Sequence, residues 1–242
     1  MKILVLLCCI FFATLLPSEV ISRETLVFSA AASSPHHNEN GTGFLDMLER
    51  EVLNRIGYDV VFEFLPAERA LINSNKGVTD GEAERVKGIS KYYTNLIRVD
   101  EPIMNWSFVA FSHRSDIVIN GWESIQPYSV GLINGWKIFE RNTKDALVQT
   151  KVKDIHVLFT LLKNKRADLV LIEAWQGLDY LSKHPLANIK MLSPSILEKE
   201  QFIYLHKKHA NLVPKISSTL KKMKNDGTYQ KIFEQVLTPL KR

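Results

Sequence analysis

Apolar residues recur along this chain with two alternating periods. In "FLDMLEREVLNRIG", Phe44, Leu48, Val52 and Ile56 stand four apart, which predicts a helix with one apolar face and Gly57 at its C-cap. On either side, "TLVFSAAA" (25–32) and the alternating "YDVVFEFLP" predict strands, the first opening into the polar loop "SSPHHNENGTG". "AERALINSNK" predicts a short helix stopped by Gly77, and "VTDGEAE" the strand after it. A long apolar strand, "WSFVAFS" (106–112), follows, and the alternation restarts: "PYSVGLI" strand, "GWKIFERN" and "DIHVLFTLLKNK" helices, "DLVLIE" strand, "AWQGLDYLSKH" helix, "EQFIYLH" strand. The tail reads as two helices broken at Asn225-Asp226-Gly227. Strands and helices in turn, with short connections, predict an α/β fold of two units, each a mostly parallel sheet flanked by helices.

The two units echo one another. In each, a helix ending in basic residues leads to an Asp, Asp80 or Asp168, that turns the chain into a strand. Five residues on stands a charge of opposite sign in each unit: Arg85 in the first, Glu173 in the second. Ligands of open α/β sheets sit beyond the carboxyl ends of the strands. A guanidinium on one wall and a carboxylate on the other would suit a small zwitterion. The plainer alternatives are that Arg85 pairs with Glu82 or Glu84 at the surface, and that Glu173 serves the N-terminus of the next helix. Trp136 and Trp175 each begin a helix, as core residues or as stacking platforms for a ligand. His36-His37 have no third ligand spaced near them, so a polar loop is expected there and no metal site.

Charge and cysteine content narrow the functions. The formal net charge is +5, but Lys and Arg are dispersed, without a basic block or aromatic-basic interleaving, which argues against a nucleic-acid partner. Met1-Lys2, the apolar stretch 3–16, Pro17 and the small-residue site "VIS" predict a signal peptide over 1–22, and hence export to the periplasm. That 14-residue stretch is shorter than the ~20 residues a membrane span needs. Both cysteines, Cys8 and Cys9, fall inside it, so the mature chain would hold no disulfide, thiol nucleophile or cysteine metal site. No nucleophile–base pair or phosphate loop is visible, and no cofactor is expected.

The pieces "GFLDMLEREVLNRIG", "DEPIM", "YSVGLINGWKIFE", "LLKNKRADLVLIE" and "LKKMKNDGTYQKIFEQ", in this order, resemble the bacterial extracellular solute-binding proteins of family three, the polar amino-acid-binding group of ABC importers. The resemblance covers nearly the whole mature chain. It implies a monomer of the two-lobed type II periplasmic binding fold, with lobe 1 from 23–110 plus 200–242 and lobe 2 from 111–199. Hinge strands would lie near 108–114 and 198–205. It further implies a small polar ligand, usually an amino acid, and an ABC permease or membrane sensor as partner. The family's ammonium-binding acid falls on Glu173. Its Thr-Pro-x-Arg motif is missing: "ISKYYTN" stands in its place, and Arg85 is expected to substitute for the absent Arg. "SSPHHNE" replaces the family's Pro-Pro-Phe, and Trp136-Lys137 stand where Thr is common, which places Lys137 among the expected ligand contacts. Two other readings share the scaffold: a cyclohexadienyl dehydratase-like enzyme using Glu173 for proton transfer, and a sensory module without transport function.

Overall fold

The computed structural model describes residues 23–241; the expected signal peptide over 1–22 lies outside them. Ten strands form one curled mixed sheet. The first half is β1 (Glu24–Ala30), β2 (Tyr58–Phe64), β3 (Gly81–Val86) and β4 (Leu96–Arg98), with helices α1 (Phe44–Asn54) and α2 (Ala67–Lys76). A long strand, β5 (Met104–Ser112), leads to the second half: β6 (Ser129–Ile133), α3 (Lys137–Asn142), β7 (Val148–Val152), α4 (Ile155–Lys163), β8 (Leu169–Glu173), α5 (Ala174–Lys183) and β9 (Lys190–Met191). The chain returns through β10 (Leu197–His206) and closes with α6 (Val213–Asn225) and α7 (Thr228–Val236).

The strand order is β2-β1-β3-β10-β5-β8-β6-β7. Each end is parallel, β2-β1-β3 and β8-β6-β7, as the strand–helix alternation predicts. The middle is antiparallel because β5 and β10 run between the halves in opposite directions, paired from Leu197–Phe108 to Gln201–Met104. These two strands join the lobes.

Burial follows the sequence periods. Phe44, Leu48 and Val52 of α1 are fully buried against Leu26 and Phe28 of β1 and Ile216 and Leu220 of α6. In the second half, β8 is covered on both faces. Leu169 and Leu171 pack with Val130, Leu132 and Phe139, and the alternate residues Val170 and Ile172 with Leu158 and Phe159 of α4. A strand buried on both sides must be apolar at every position, which explains the unbroken "LVLI". Each such side chain contributes about 1.5–3 kcal/mol on leaving water.

Asp80 and Asp168 make the same pair of backbone bonds. Asp80 Oδ2 accepts from Val27 N (2.7 Å) while Asp80 N donates to Val27 O (2.7 Å). Asp168 Oδ2 accepts from Ser129 N and Asp168 N donates to Ser129 O, both at 3.0 Å. Each Asp thus ties its strand to the parallel neighbour, the structural basis of the sequence echo.

Some local expectations shift. α1 ends at Asn54 and is capped by Arg55; Gly57, at φ 87°, makes the turn into β2 instead. Gly77 caps α2 in the left-handed region as expected. β4, β7 and β9 are too short or too exposed to give a clear apolar pattern. β10 begins at Leu197, because pairing with β5 holds the polar "EKE" in the sheet.

Candidate functional site

A cavity of about 440 Å³ opens between the two halves at the carboxyl ends of the strands, within the size range of small-ligand sites. From the first half it is lined by Ala31–Ser33 after β1 and by Glu84 and Arg85 of β3; from the second by Ile133, Trp136, Asp154 and Gln176. Trp106 and Phe108 of the connecting β5 complete it. A larger hollow of about 690 Å³ lies among Arg50, Asn54, Lys183 and Gln235, away from the strand ends.

Arg85 reaches this cavity with its side chain only 13% exposed. Its Nη2 sits 2.6 Å from Glu82 Oε2 and donates to Ala67 O at 3.3 Å. Glu82 is fully buried, and burial pushes its carboxyl up to about 8 against the pull of Arg85 and of Ser74 Oγ. Arg85 thus has the Glu82 partner of the plainer reading, but in a buried setting and not at the surface, and it also lines the cavity. On the lining residues, Arg85 Nε and Trp106 Nε1 are both buried donors without an acceptor among the described residues.

Two lining residues, Trp106 and Trp136, belong to a column of near-parallel rings that continues behind the wall. His36 lies 5.4 Å and 20° from Trp106, Trp106 6.3 Å and 16° from Trp136, and Trp136 5.5 Å and 9° from Phe139. The column runs from the loop after β1, across β5, into α3.

Glu173 is placed differently from expectation. It is completely buried and absent from the lining. Its Oε2 accepts from Gln176 N (3.0 Å), capping α5, and from the imidazole of His36 (2.9 Å); because Oε2 already accepts an amide hydrogen, His36 Nε2 is the donor. Lys137 points outward into an ion pair with Glu140 (2.8 Å), its side chain 66% exposed. Trp175 packs edge-to-face on Phe233 of α7 at 5.4 Å, fastening α5 to the first half. Of the five residues expected at the ligand, the cavity brings together Arg85 and Trp136; Glu173, Lys137 and Trp175 lie off it.

The loop expected at His36-His37 is present, but its two histidines are not solvated. Both rings are buried, at 0% and 1% exposure, because carboxylates from three other elements meet them there. His37 Nδ1 bonds Asp46 Oδ1 (2.7 Å) and its Nε2 bonds Glu84 Oε2 (3.1 Å). Burial alone would lower the His37 pKa; its bonds to Asp46 and Glu84 outweigh this and raise it to about 10. Those same bonds to His37 hold Glu84 below the usual carboxylate range despite its burial. Glu84 Oε1 takes the amides of Ala31 (3.2 Å) and Ala32 (2.8 Å), so both its oxygens are engaged. Glu49, fully buried nearby, is pushed well up by desolvation. Gly43 lets the loop close on itself: a Cβ there would lie 2.4 Å from His36 O. Among the described residues no group of three or more His, Cys, Asp or Glu is placed to hold a metal ion, and no helix is long and apolar enough to cross a membrane.

No protein-family model matches the chain. An uncharacterised protein of Shewanella oneidensis (strain MR-1) is 25% identical over 236 residues, spanning 90% of this chain and 86% of its own length. Among solved structures, an ancestral arginine-binding protein bound to glutamine superposes with a TM-score of 0.70 at 23% identity, covering 89% of this chain and 98% of its own. The GluR0 ligand-binding core in complex with L-glutamate reaches a TM-score of 0.78 at 12% identity, covering 89% and 99%. These likenesses show the fold, the two-lobed periplasmic binding protein architecture.

Proposed function

We propose that this chain is an exported solute-binding protein that captures a small carboxylate-bearing polar solute between lobes 23–110 plus 200–242 and 111–199, with β5 and β10 as the hinge. The observation that carries this reading is the position of the cavity: at the strand carboxyl ends, walled by both lobes and by a hinge strand, with the Arg85 guanidinium at one side and the Trp106–Trp136 rings at another. Arg85 is the anchor for a carboxylate, in the role the missing Thr-Pro-x-Arg motif leaves open. Trp136 supplies apolar contact, and Glu173 acts from behind the wall by holding His36 and the start of α5. The amino acids named for the structural neighbours, glutamine and glutamate, support a carboxylate-bearing ligand. An ABC-type permease or a membrane sensor would receive the closed form.

Titration calorimetry on the mature chain against amino acids and small organic acids tests this. One site per chain is expected, and ligand at 100 times its dissociation constant should stabilise the fold by about 2.7 kcal/mol. Absence of binding at millimolar concentration across both sets would overturn it.

A further inference from the structure

The carboxylates around the cavity are already engaged. Glu84 holds His37 and two amides. Glu173 is sealed behind the wall: its Oε2 holds His36 and Gln176 N, and its Oε1, without a partner among the described residues, is buried on a residue that does not line the cavity. Asp154 spends Oδ1 on Val157 N (2.8 Å), capping α4, and its Oδ2 lies 3.6 Å from Lys153 Nζ. A ligand ammonium would have to displace one of these partners or settle for the exposed Asp154–Lys153 pair, which solvent screens. The cation side is different. Arg85 lines the cavity beside a carboxyl that burial drives toward its neutral form, and the fully buried polar atoms without a partner on lining residues, Arg85 Nε and Trp106 Nε1, are donors. Most of the remaining wall is apolar, the two indoles, Phe108, Ile133, Ile138 and Ile155, with Ser33 and Gln176 as its uncharged polar side chains.

Resting on the solute-binding reading, we infer that the ligand is a small carboxylate with a flat or branched apolar body and no ammonium group. Arg85 takes the carboxylate, a planar fork against a planar anion. The body lies against the Trp106–Trp136 wall, where aromatic contact adds to area burial. The chain thereby discriminates against amino acids by offering their ammonium no unengaged buried counter-charge on the lining.

Matched probes separate the possibilities. 3-Phenylpropanoate and phenylalanine differ only by the α-ammonium group, as do indole-3-propanoate and tryptophan. Calorimetry at pH 7 should give the deaminated member of each pair an affinity at least tenfold higher. The phenyl pair, whose ligands leave the indole signal clear, should also be followed by the protein's tryptophan fluorescence. Arg85→Gln should weaken 3-phenylpropanoate at least tenfold while the far-ultraviolet dichroism and melting curve stay those of a folded chain. Should the amino acids bind as tightly as, or more tightly than, their deaminated partners, this inference fails and the solute-binding reading stands; loss of that binding in Asp154→Asn would then identify the ammonium site. Binding of none of the four, nor of any amino or organic acid, overturns both.

Discussion

His36 Nε2 lies 2.9 Å from Glu173 Oε2, with both side chains at 0% exposure. One belongs to the loop after β1, the other to the end of β8, so the bond ties the two halves together directly behind the cavity wall. Trp106, stacked on His36, carries the same contact into the hinge strand. Replacing His36 by Ala would strip Glu173 of this donor and remove one ring of the column. A loss of about 1–3 kcal/mol in chemical denaturation is expected for the buried carboxylate left with fewer partners. A change of only a few tenths would show that the bond does not hold the halves.

The charged cluster around His37 should make stability depend on pH. In the folded chain His37 keeps its proton up to about 10, whereas a free histidine loses it near 6.5. Its stabilising contribution is therefore complete below pH 6.5 and declines as pH rises from there to 10. Glu82, raised to about 8 by burial, adds a decline between its ordinary value of 4.5 and 8. Urea midpoints should accordingly fall from pH 6.5 to pH 9. His37→Gln should start less stable and show a shallower fall; an unchanged slope would mean that the imidazolium is not stabilised by Asp46 and Glu84.

Anion affinity should be pH-dependent through Glu82. Below about 8 its carboxyl is protonated, chiefly through burial, and the Arg85 charge remains available to a ligand; above that value the ionised Glu82 competes for it. Binding of a carboxylate should weaken severalfold between pH 7 and 9, and Glu82→Gln should abolish that trend. A wild-type affinity that is flat over this range would place the bound anion elsewhere.

Gly177, in α5, gives a test of packing independent of any ligand. A Cβ there would fall 2.3 Å from a carbon of the fully buried Phe111 ring, which itself packs on Phe159. Gly177→Ala should destabilise the chain by about 1–3 kcal/mol, despite alanine's better helix propensity. A stabilised variant would show that α5 can move away from β5.

Lys137 and Trp175 show where sequence reasoning loses contact with the site. Both stand at the start of a helix, where a binding residue belongs, yet Lys137 turns outward to Glu140 and Trp175 packs on Phe233. A position at a helix start fixes the backbone within about a turn, but the rotamer and the neighbour decide which way the side chain points. His36 and His37 are the opposite case. Nothing local marks them, because their carboxylate partners lie 137, 9 and 47 residues away along the chain.

The sequence by itself determined the alternation of strands and helices, the apolar face of α1, the two-sided burial of β8 and the paired roles of Asp80 and Asp168. All of these follow from periods and spacings of a few residues, the range over which backbone geometry repeats. Only the tertiary structure decided which charges face the cavity. Arg85 and Glu173 occupy equivalent places in the sequence echo, but one lines the cleft while the other is sealed off by a histidine from a distant loop. Desolvation and long-range pairing settle the state of a charge, and both depend on neighbours that meet only once the sheet has curled.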